Sequence, residues 1–415
     1  MISDGRRWNR LPLALLGCIV ALAVAVRIAW IIYANVDPLD GRGDDTVFYY
    51  FSAKSLANTF EYRDGFGRHT AAWPPGYSLV LAGMFKLFGA GLWPAKALNV
   101  ALSAATVVLT YALGARAFDR RAGLLAALVL ALFPGHIYFS TLIMAEVLFG
   151  FVFLLLLYLL LRWTLDDRPA RWPELLALGA LAGCATLIRS EAVLLPVAIA
   201  VLWKIALPGW RTPARYAALL SAGFVLTMAP WVIRNEMRFH EFIPLRADPG
   251  GFVSIAFERD YHERGDRFTR RSLPLDETLG YMRRHPWAIV PLELDKLRYL
   301  YHDDADGISW AQNDVPTLTP AQVRRWTDVA NAYWFVVGVC ALAALLWRPR
   351  LRDRGRLLLA FAVVAWTLIE ITSWPFTRYH FPLLPVISLL AAAFVMQVWD
   401  AVVDLSAAGR DLNRH

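Results

Sequence analysis

Carboxylate side chains interrupt an otherwise apolar chain at places where they could do chemistry. The adjacent Asp44 and Asp45 follow the first apolar segment in a glycine-flanked stretch. Such a pair can coordinate a hard cation, or one member can act as a general base on a hydroxyl group; a solvated turn or a helix cap is the structural alternative. Glu146 begins a later apolar segment, where it needs a partner such as Arg189 or Arg378. Structural pairing and catalytic use are both compatible with that position.

Cationic and aromatic side chains precede the last apolar segment, in the order Arg378, Tyr379 and His380. A guanidinium group can bind two phosphate oxygens at once, which suits a phosphate leaving group. Any one polar residue at the end of an apolar segment can also cap a helix or meet lipid headgroups. Further polar residues of this kind are Arg189, Glu191 and Arg234.

The composition places these residues in a membrane protein. Of 415 residues, 58% are hydrophobic and 18% are charged, and the mean hydropathy is +0.43, values that exclude an ordinary soluble enzyme. The net charge is +8, but the arginines form short clusters between apolar segments. That distribution is typical of topology signals and does not indicate a nucleic-acid partner.

The apolar segments set the architecture, because a helix needs about 20 apolar residues to cross a bilayer. Ten segments meet or approach this length: 11–33, 93–115, 122–141, 144–162, 173–188, 190–207, 214–234, 329–347, 355–374 and 381–402. The shorter stretch 77–88 predicts an interfacial or re-entrant helix. We therefore expect an all-α polytopic membrane protein with three parts. These are an N-terminal transmembrane module, 1–235, which includes a first outer loop at 34–92; a second outer loop, 236–328; and C-terminal helices with a short tail, 329–415.

The basic clusters in short loops predict the orientation, because such clusters stay in the cytoplasm. With both termini inside, the clusters at 6–10, 116–121, 162–171, 204–215 and 348–356 all face the cytoplasm. Both long loops then lie outside, and so do all the polar residues singled out above. Gathered on one side of the bilayer, that set favours a functional site.

The second outer loop divides into two parts. Its first half contains charge runs and a Gly-Gly pair at 250–251, which predict a mobile solvated loop. After Pro286, apolar residues alternate at the helical period with Glu293, Lys296 and Arg298, which predicts an interfacial helix. A lid over the acceptor is the functional hypothesis for this loop.

Several motifs together carry a family resemblance. GDDTVFYYFSAKSLA and TAAWPPGYSLVLAGMFKLFG resemble the first outer loop of family 39-type GT-C glycosyltransferases, which include protein O-mannosyltransferases and lipid A aminoarabinose transferases. LIMAEVLFG, TLIRSEAVLLP, APWVIRNEMRFHEFIPL and PFTRYHFPLLPVISLLAA continue the likeness in the expected order. The resemblance implies a GT-C bundle of about 10–11 transmembrane helices with two extracytoplasmic loops.

The resemblance also implies roles for individual residues. The essential aspartate of the family's first outer loop falls on Asp44 or Asp45, and a second acidic residue matches Glu146. The final outer turn implies that Tyr379 meets the donor phosphate, with Arg378 beside it. On the acceptor side or in structural support, the remaining candidates are Arg189, Glu191 and His380.

One departure from the family concerns the donor site. The aminoarabinose branch has a Glu-Lys pair before the proline that matches Pro74, whereas this chain has Ala72 and Trp73. The phosphate contact is therefore left to Arg378, Arg234 or Lys296.

The resulting expectation is a bacterial inner-membrane glycosyltransferase that moves a sugar from a polyprenyl-phosphate donor to a hydroxyl of a lipid, glycan or protein, with inversion. The resemblance implies that no divalent metal is obligatory. Alternative functions are a polysaccharide polymerase or ligase, a secondary transporter and a lipid flippase. A transporter is disfavoured by the lack of self-similarity between the two halves of the chain.

Overall fold

The computed structural model describes residues 4–37, 39, 45–165, 169–247, 275–284, 286–312, 317–346, 354–372 and 376–412. These residues form sixteen α-helices. An isolated antiparallel β-bridge between Arg63 and His69 is the one element of β-pairing among them. The first eight helices are α1 (Asp4–Ala34), α2 (Asp45–Thr59), α3 (Gly76–Phe88), α4 (Leu92–Ala117), α5 (Arg120–Ala131), α6 (Pro134–Tyr138), α7 (Glu146–Leu165) and α8 (Trp172–Ile188).

The second eight helices complete the bundle. They are α9 (Leu195–Ala206), α10 (Arg211–Phe239), α11 (Leu275–Arg284), α12 (Ile289–Leu300), α13 (Asp306–Ala311), α14 (Pro320–Leu346), α15 (Arg354–Ile371) and α16 (Leu384–Leu412). Short 3-10 helices lie at Phe139–Thr141, Ser190–Leu194, Pro286–Ala288 and Thr377–Leu383.

Each of the ten predicted apolar segments contains a helix, so the all-α polytopic class is confirmed. Five helical segments of the described chain are long and apolar enough to cross a membrane: Leu11–Ala34, Leu92–Ala117, Arg211–Phe239, Pro320–Leu346 and Thr377–Ser406. A sixth is obtained if α5 and the following Pro134–Thr141 form one span with a bend of 56°. The other predicted spans are shorter apolar helices packed among these, and α7 lies buried at the centre.

The bend between α5 and α6 is stabilised by a buried arginine of the first span. Proline at 134 supplies no backbone N–H, so the helix is interrupted and carbonyl groups lose their partners. Arg27 donates hydrogen bonds to the carbonyl oxygens of Ala131 and Ala23, at 3.0 and 2.9 Å, and to Nδ1 of His136 at 2.8 Å. A broken helix inside a bilayer requires such partners because water cannot supply them.

Helices α8 and α10 approach each other through glycine. A β-carbon on Gly179 would collide with the carbonyl oxygen of Leu220, and one on Gly223 with that of Leu176. Small residues allow backbones of membrane helices to pack in direct contact. The pair matters for the site, because α8 ends next to Arg189 and α10 carries Arg234, which binds the α2–α3 connection.

Elements of the two long loops largely follow the sequence expectation. The short helix predicted at 77–88 is α3, and the helix predicted after Pro286 is α12. Helix α13 was not predicted from the sequence. Most of the segment predicted to be a mobile solvated loop, residues 248–274, lies outside the described residues.

Candidate active site

A cavity lies where the first turns of α2 and α7, the C-terminal end of α8 and the 3-10 segment before α16 meet. It is lined by charged, aromatic and apolar residues, two of which belong to the α2–α3 connection. The lining residues are Asp45, Tyr49, Trp73, Pro74, Met144, Ala145, Glu146, Ile188, Arg189, Ser190, Glu191, Arg378 and Tyr379.

Arg378 is held from three sides. Its Nη2 donates a hydrogen bond to Oδ2 of Asp45 at 2.9 Å, and its Nε lies 3.6 Å from Oε1 of Glu146. Its backbone N–H donates to Oδ2 of Asp306 at 2.8 Å. The guanidinium group also stacks over the ring of Trp310, 4.3 Å from the centroid. The side chain is only 7% exposed, so its position in the cavity wall is fixed by these contacts.

Arg189 forms the second cationic wall. Its Nη1 donates to Oε1 of Glu146 at 3.4 Å, its Nε lies 3.9 Å from Oε2 of Glu191, and its guanidinium covers the ring of Tyr379. Glu146 is thus shared by Arg189 and Arg378, which explains how a carboxylate can be buried at the start of an apolar helix. The other oxygen of Glu146, Oε2, is buried and makes no hydrogen bond to any described residue.

The charges in the cavity do not cancel. Three carboxylates (Asp45, Glu146 and Glu191) face two guanidinium groups (Arg189 and Arg378), a formal sum of −3 and +2, or −1. Burial raises the pKa of the Tyr49 phenol well above its ordinary value, and the nearby negative charges of Asp45 and Glu146 raise that pKa further. Tyr49 therefore keeps its proton and presents an O–H group rather than an additional negative charge.

Six of the residues singled out from the sequence come together at this cavity: Asp45, Glu146, Arg189, Glu191, Arg378 and Tyr379. Asp44 lies outside the described residues. His380 is turned away from the cavity, where its Nε2 and Nδ1 atoms lie 3.1 Å from Oδ1 of Asp304 and 2.9 Å from the Leu300 carbonyl oxygen. Its contacts join the segment before α16 to the end of α12, which is the structural role foreseen as one alternative.

Arg234 and Lys296 are not brought to the cavity. Arg234 donates to the carbonyl oxygens of Tyr62 and Thr70, at 2.9 and 2.8 Å, and so fixes the connection that leads to the cavity wall. The Lys296 ammonium donates to Oε1 of Glu293 at 2.9 Å and to the Ile371 carbonyl oxygen at 3.0 Å. Both cations therefore bind backbone carbonyl groups outside the cavity, whose lining contains Arg189 and Arg378.

Sequence reasoning missed three contributors to the site. Asp306 and Trp310, both on α13, hold Arg378 by its backbone and by its guanidinium face. Tyr49 lies one turn after Asp45 on α2 and faces the same cavity. The available signal for Tyr49 was the i, i+4 spacing that places two residues on one helix face; no local spacing links Asp306 or Trp310 to Arg378.

A metal centre of several protein ligands is not found in the part of the chain that the structure describes, where no three His, Cys, Asp or Glu side chains form a group suited to a metal ion. Asp45 and Glu146 each face a guanidinium group in the cavity. The cationic side chains that line the cavity are Arg189 and Arg378.

Comparisons with known proteins bear on the fold. A family model described as dolichyl-phosphate-mannose-protein mannosyltransferase matches residues 72–233, less than half of the chain. No curated protein sequence matches the chain. Among solved structures, ArnT from Cupriavidus metallidurans bound to undecaprenyl phosphate is similar at 17% identity, with a TM-score of 0.57 over 91% of this chain and 60% of ArnT.

Two archaeal structures show the same likeness. The Archaeoglobus fulgidus oligosaccharyltransferase in its apo form gives a TM-score of 0.61 at 15% identity, over 97% of this chain and 52% of that one. The same enzyme, AglB, in complex with an inhibitory peptide and a dolichol-phosphate gives 0.60 at 14% identity, with the same coverage. This chain thus spans about half to three fifths of the length of the proteins it matches. At these identities the likeness concerns the fold alone: the chain is a multi-pass membrane protein with the GT-C glycosyltransferase fold.

Proposed function

We propose that this protein is a glycosyltransferase that moves a sugar from a polyprenyl-phosphate donor to a hydroxyl group of a lipid, glycan or protein acceptor. The GT-C fold and the mannosyltransferase family match support the reaction class. Two of the similar structures contain undecaprenyl phosphate and dolichol-phosphate, which supports a lipid-linked donor. The hydroxyl acceptor and the inverting course of the reaction are our inference from the site.

The reaction is a single displacement at the anomeric carbon. The acceptor oxygen forms a bond to this carbon while its proton passes to a carboxylate, and the bond between the anomeric carbon and the phosphate oxygen breaks. The bonding electron pair leaves with the polyprenyl phosphate, whose charge changes from −1 as a diester to −2 as a monoester. Catalysis therefore requires a base on one side of the sugar and positive charge at the leaving group.

The cavity contains groups for both tasks. We assign the base to Asp45, which is 21% exposed at the cavity mouth, and the phosphate contact to Arg378 with Tyr379. Glu146 holds the two guanidinium groups in place. The observation that carries the proposal is the juxtaposition of Asp45 and Arg378, because it places a carboxylate and a guanidinium group within 2.9 Å of each other in a polar cavity of a membrane bundle.

The proposed location is the extracytoplasmic side of a bacterial inner membrane, with both termini in the cytoplasm. Its support is the distribution of arginines, which cluster in the short connections at the opposite end of the helices from the cavity. A donor that carries a polyprenyl tail would reach such a site from within the bilayer. No obligatory divalent metal enters the proposed reaction, because the arginines carry the countercharge.

A direct transfer assay tests this proposal. Purified protein is incubated with a panel of polyprenyl-phosphate sugars and candidate acceptors, and the release of polyprenyl phosphate is measured together with sugar-labelled product. We expect turnover with one donor class, a loss of at least about a hundredfold in Asp45→Asn because general-base catalysis typically contributes this much, and retention in Asp44→Asn. Full activity of Asp45→Asn would refute the assignment of the base, and substrate transport without transfer would refute the reaction class.

A further inference from the structure

We propose that the ion pair between Asp45 and Arg378 is exchanged on donor binding: the donor phosphate takes the place of the Asp45 carboxylate on Arg378, and Asp45 is thereby released to act as the base. This inference rests on the proposed function and concerns how that site is controlled. It makes Asp45 a competitor of the donor phosphate before the reaction and a catalytic residue during it.

The hydrogen bonds of Arg378 provide the first argument. Within the described part of the chain, Nη2 to Asp45 is the one hydrogen bond from this guanidinium group to an oxygen atom. Nη1 faces the sulfur of Met144 at 3.9 Å, and Nε makes no hydrogen bond to a described residue. Nη2 belongs to both two-pronged edges of the guanidinium group, so a phosphate that binds two oxygens to either edge shares this nitrogen with Asp45 and lies next to its carboxylate.

The mobility expected of the two partners provides the second argument. Arg378 is anchored through its backbone by Asp306 and through its guanidinium face by Trp310, and it is 7% exposed. Asp45 is the first residue of α2, and its side chain is 21% exposed, compared with 5% for Glu146 and 17% for Glu191. Of the three carboxylates in the cavity, Asp45 is thus the most exposed, and its charge stays hydrated when the side chain rotates toward solvent.

The charge of the cavity provides the third argument. The formal sum is −1 before any ligand binds, and a sugar phosphodiester would bring it to −2. Like charges held close together in a partly buried site repel each other strongly, because water screens them poorly. Separation of the Asp45 carboxylate from the incoming phosphate relieves this repulsion, whereas Glu146 is fixed between two arginines and cannot move away without leaving them buried and unpaired.

The exchange links the availability of the base to occupancy of the site. While Asp45 accepts the hydrogen bond from Arg378, its Oδ2 atom is engaged. Once the phosphate has taken its place on Arg378, both carboxylate oxygens can face the acceptor hydroxyl group and take its proton. After transfer, Asp45 carries the acceptor proton and leaves Arg378 to the polyprenyl phosphate.

Affinity for the carrier phosphate tests the exchange without any turnover. The probe is undecaprenyl phosphate, and its dissociation constant is measured by microscale thermophoresis with the full-length protein in detergent. Exchange predicts that Asp45→Asn binds the probe about tenfold more tightly than the parent, which corresponds to the loss of one competing charged hydrogen bond. Arg378→Gln should lose the tight binding, with its fold checked by thermal unfolding.

Glu191→Gln is the matched control, because it removes one negative charge from the same cavity without vacating Arg378. A gain confined to Asp45→Asn supports the exchange. An equal gain in both variants, or no gain in Asp45→Asn, overturns it and leaves the transferase proposal standing. Failure of the folded parent protein to bind any polyprenyl phosphate would instead overturn the proposed function itself.

Discussion

The guanidinium group of Arg189 lies over the ring of Tyr379, with 4.1 Å between its central carbon and the ring centroid. The same guanidinium group reaches Glu146 on one side and Glu191 on the other. The ring of Tyr379 therefore stacks on a guanidinium group whose position is set by ion pairs with the first residue of α7 and with Glu191, which follows α8. Tyr379 itself belongs to the segment before α16. The contact thus joins two parts of the chain that are far apart in sequence, at positions 189 and 379.

This contact separates two roles of Tyr379. Tyr379→Phe should keep the stack on Arg189 and lose the hydroxyl group that we assign to the donor phosphate. A hydrogen bond to a charged group contributes about 1.5–3 kcal/mol, so the KM for the donor should rise at least about tenfold while thermal stability changes little. Tyr379→Leu, which also loses the stack, should lower the unfolding temperature as well. An unchanged donor KM in Tyr379→Phe would contradict the phosphate contact.

Trp310 should act as a positioning residue through its contact with Arg378. Replacement by Leu removes a cation–π interaction worth about 0.5–2 kcal/mol, which predicts a rise of roughly twofold to thirtyfold in the donor KM. Trp310→Phe preserves an aromatic face and should recover most of the loss. Steady-state kinetics on both variants distinguishes this from a general loss of folding, since that would reduce the active fraction and leave KM alone.

Glu146 should be important for stability as well as for activity. Glu146→Gln leaves two buried guanidinium groups with one carboxylate fewer, and breaking a buried pair in this way typically costs about 3–5 kcal/mol. We expect a loss of transfer activity and a marked fall in the unfolding temperature. The unfolding is measured by tryptophan fluorescence of the protein in detergent. Glu61→Gln is the matched control, because Glu61 also lies between two arginines, Arg63 and Arg238, but at the surface. Equal stability of both variants would contradict the prediction that the ion pairs of Glu146 stabilise the fold.

The contacts that join Gly135, Asp304 and His380 can be tested by adding one methyl group at position 135. Its N–H donates to Asp304, whose other oxygen lies 3.1 Å from Nε2 of His380, and a β-carbon here would collide with the Asp304 carboxylate. Gly135→Ala should therefore destabilise the protein by about 1–3 kcal/mol, as overpacking usually does. Gly83→Ala, in an exposed helical position with open space around it, should be neutral or slightly stabilising. If Gly135→Ala is as stable as the parent protein in the same unfolding measurement, the packing around Asp304 adapts to the added methyl group and the prediction is wrong.

The success and failure of the sequence predictions have a physical cause. Glu146, Arg378 and one member of the Asp44–Asp45 pair could be anticipated because charge at the edge of an apolar helix is costly and usually pairs or carries function. Arg234 met the same criterion, yet its donors serve backbone carbonyl groups of Tyr62 and Thr70. A guanidinium group donates the same kind of hydrogen bond to a carbonyl oxygen and to a phosphate oxygen, so the residue type alone cannot distinguish the two uses.

The long-range contacts were beyond prediction for a different reason. Asp306 binds the backbone of Arg378 across 72 residues, and His380 meets Asp304 across 76. Both depend on how residues 304–306, which follow α12, pack against the segment before α16, and no local spacing in the sequence encodes these contacts. The helices of the ten apolar segments were predictable because a long apolar stretch is enough to indicate them.

The glycine contacts between α8 and α10 have a consequence for the behaviour of the whole protein. Because the backbones touch at Gly179 and Gly223, no side-chain layer separates the two helices at these points, and we expect them to tilt together. Helix α8 ends next to Arg189, and α10 carries Arg234, which binds the connection that leads to Trp73 and Pro74 of the cavity wall. A change in lateral pressure or bilayer thickness that tilts this helix pair would therefore shift both parts of the cavity wall together, and turnover should respond to acyl-chain length in reconstituted vesicles.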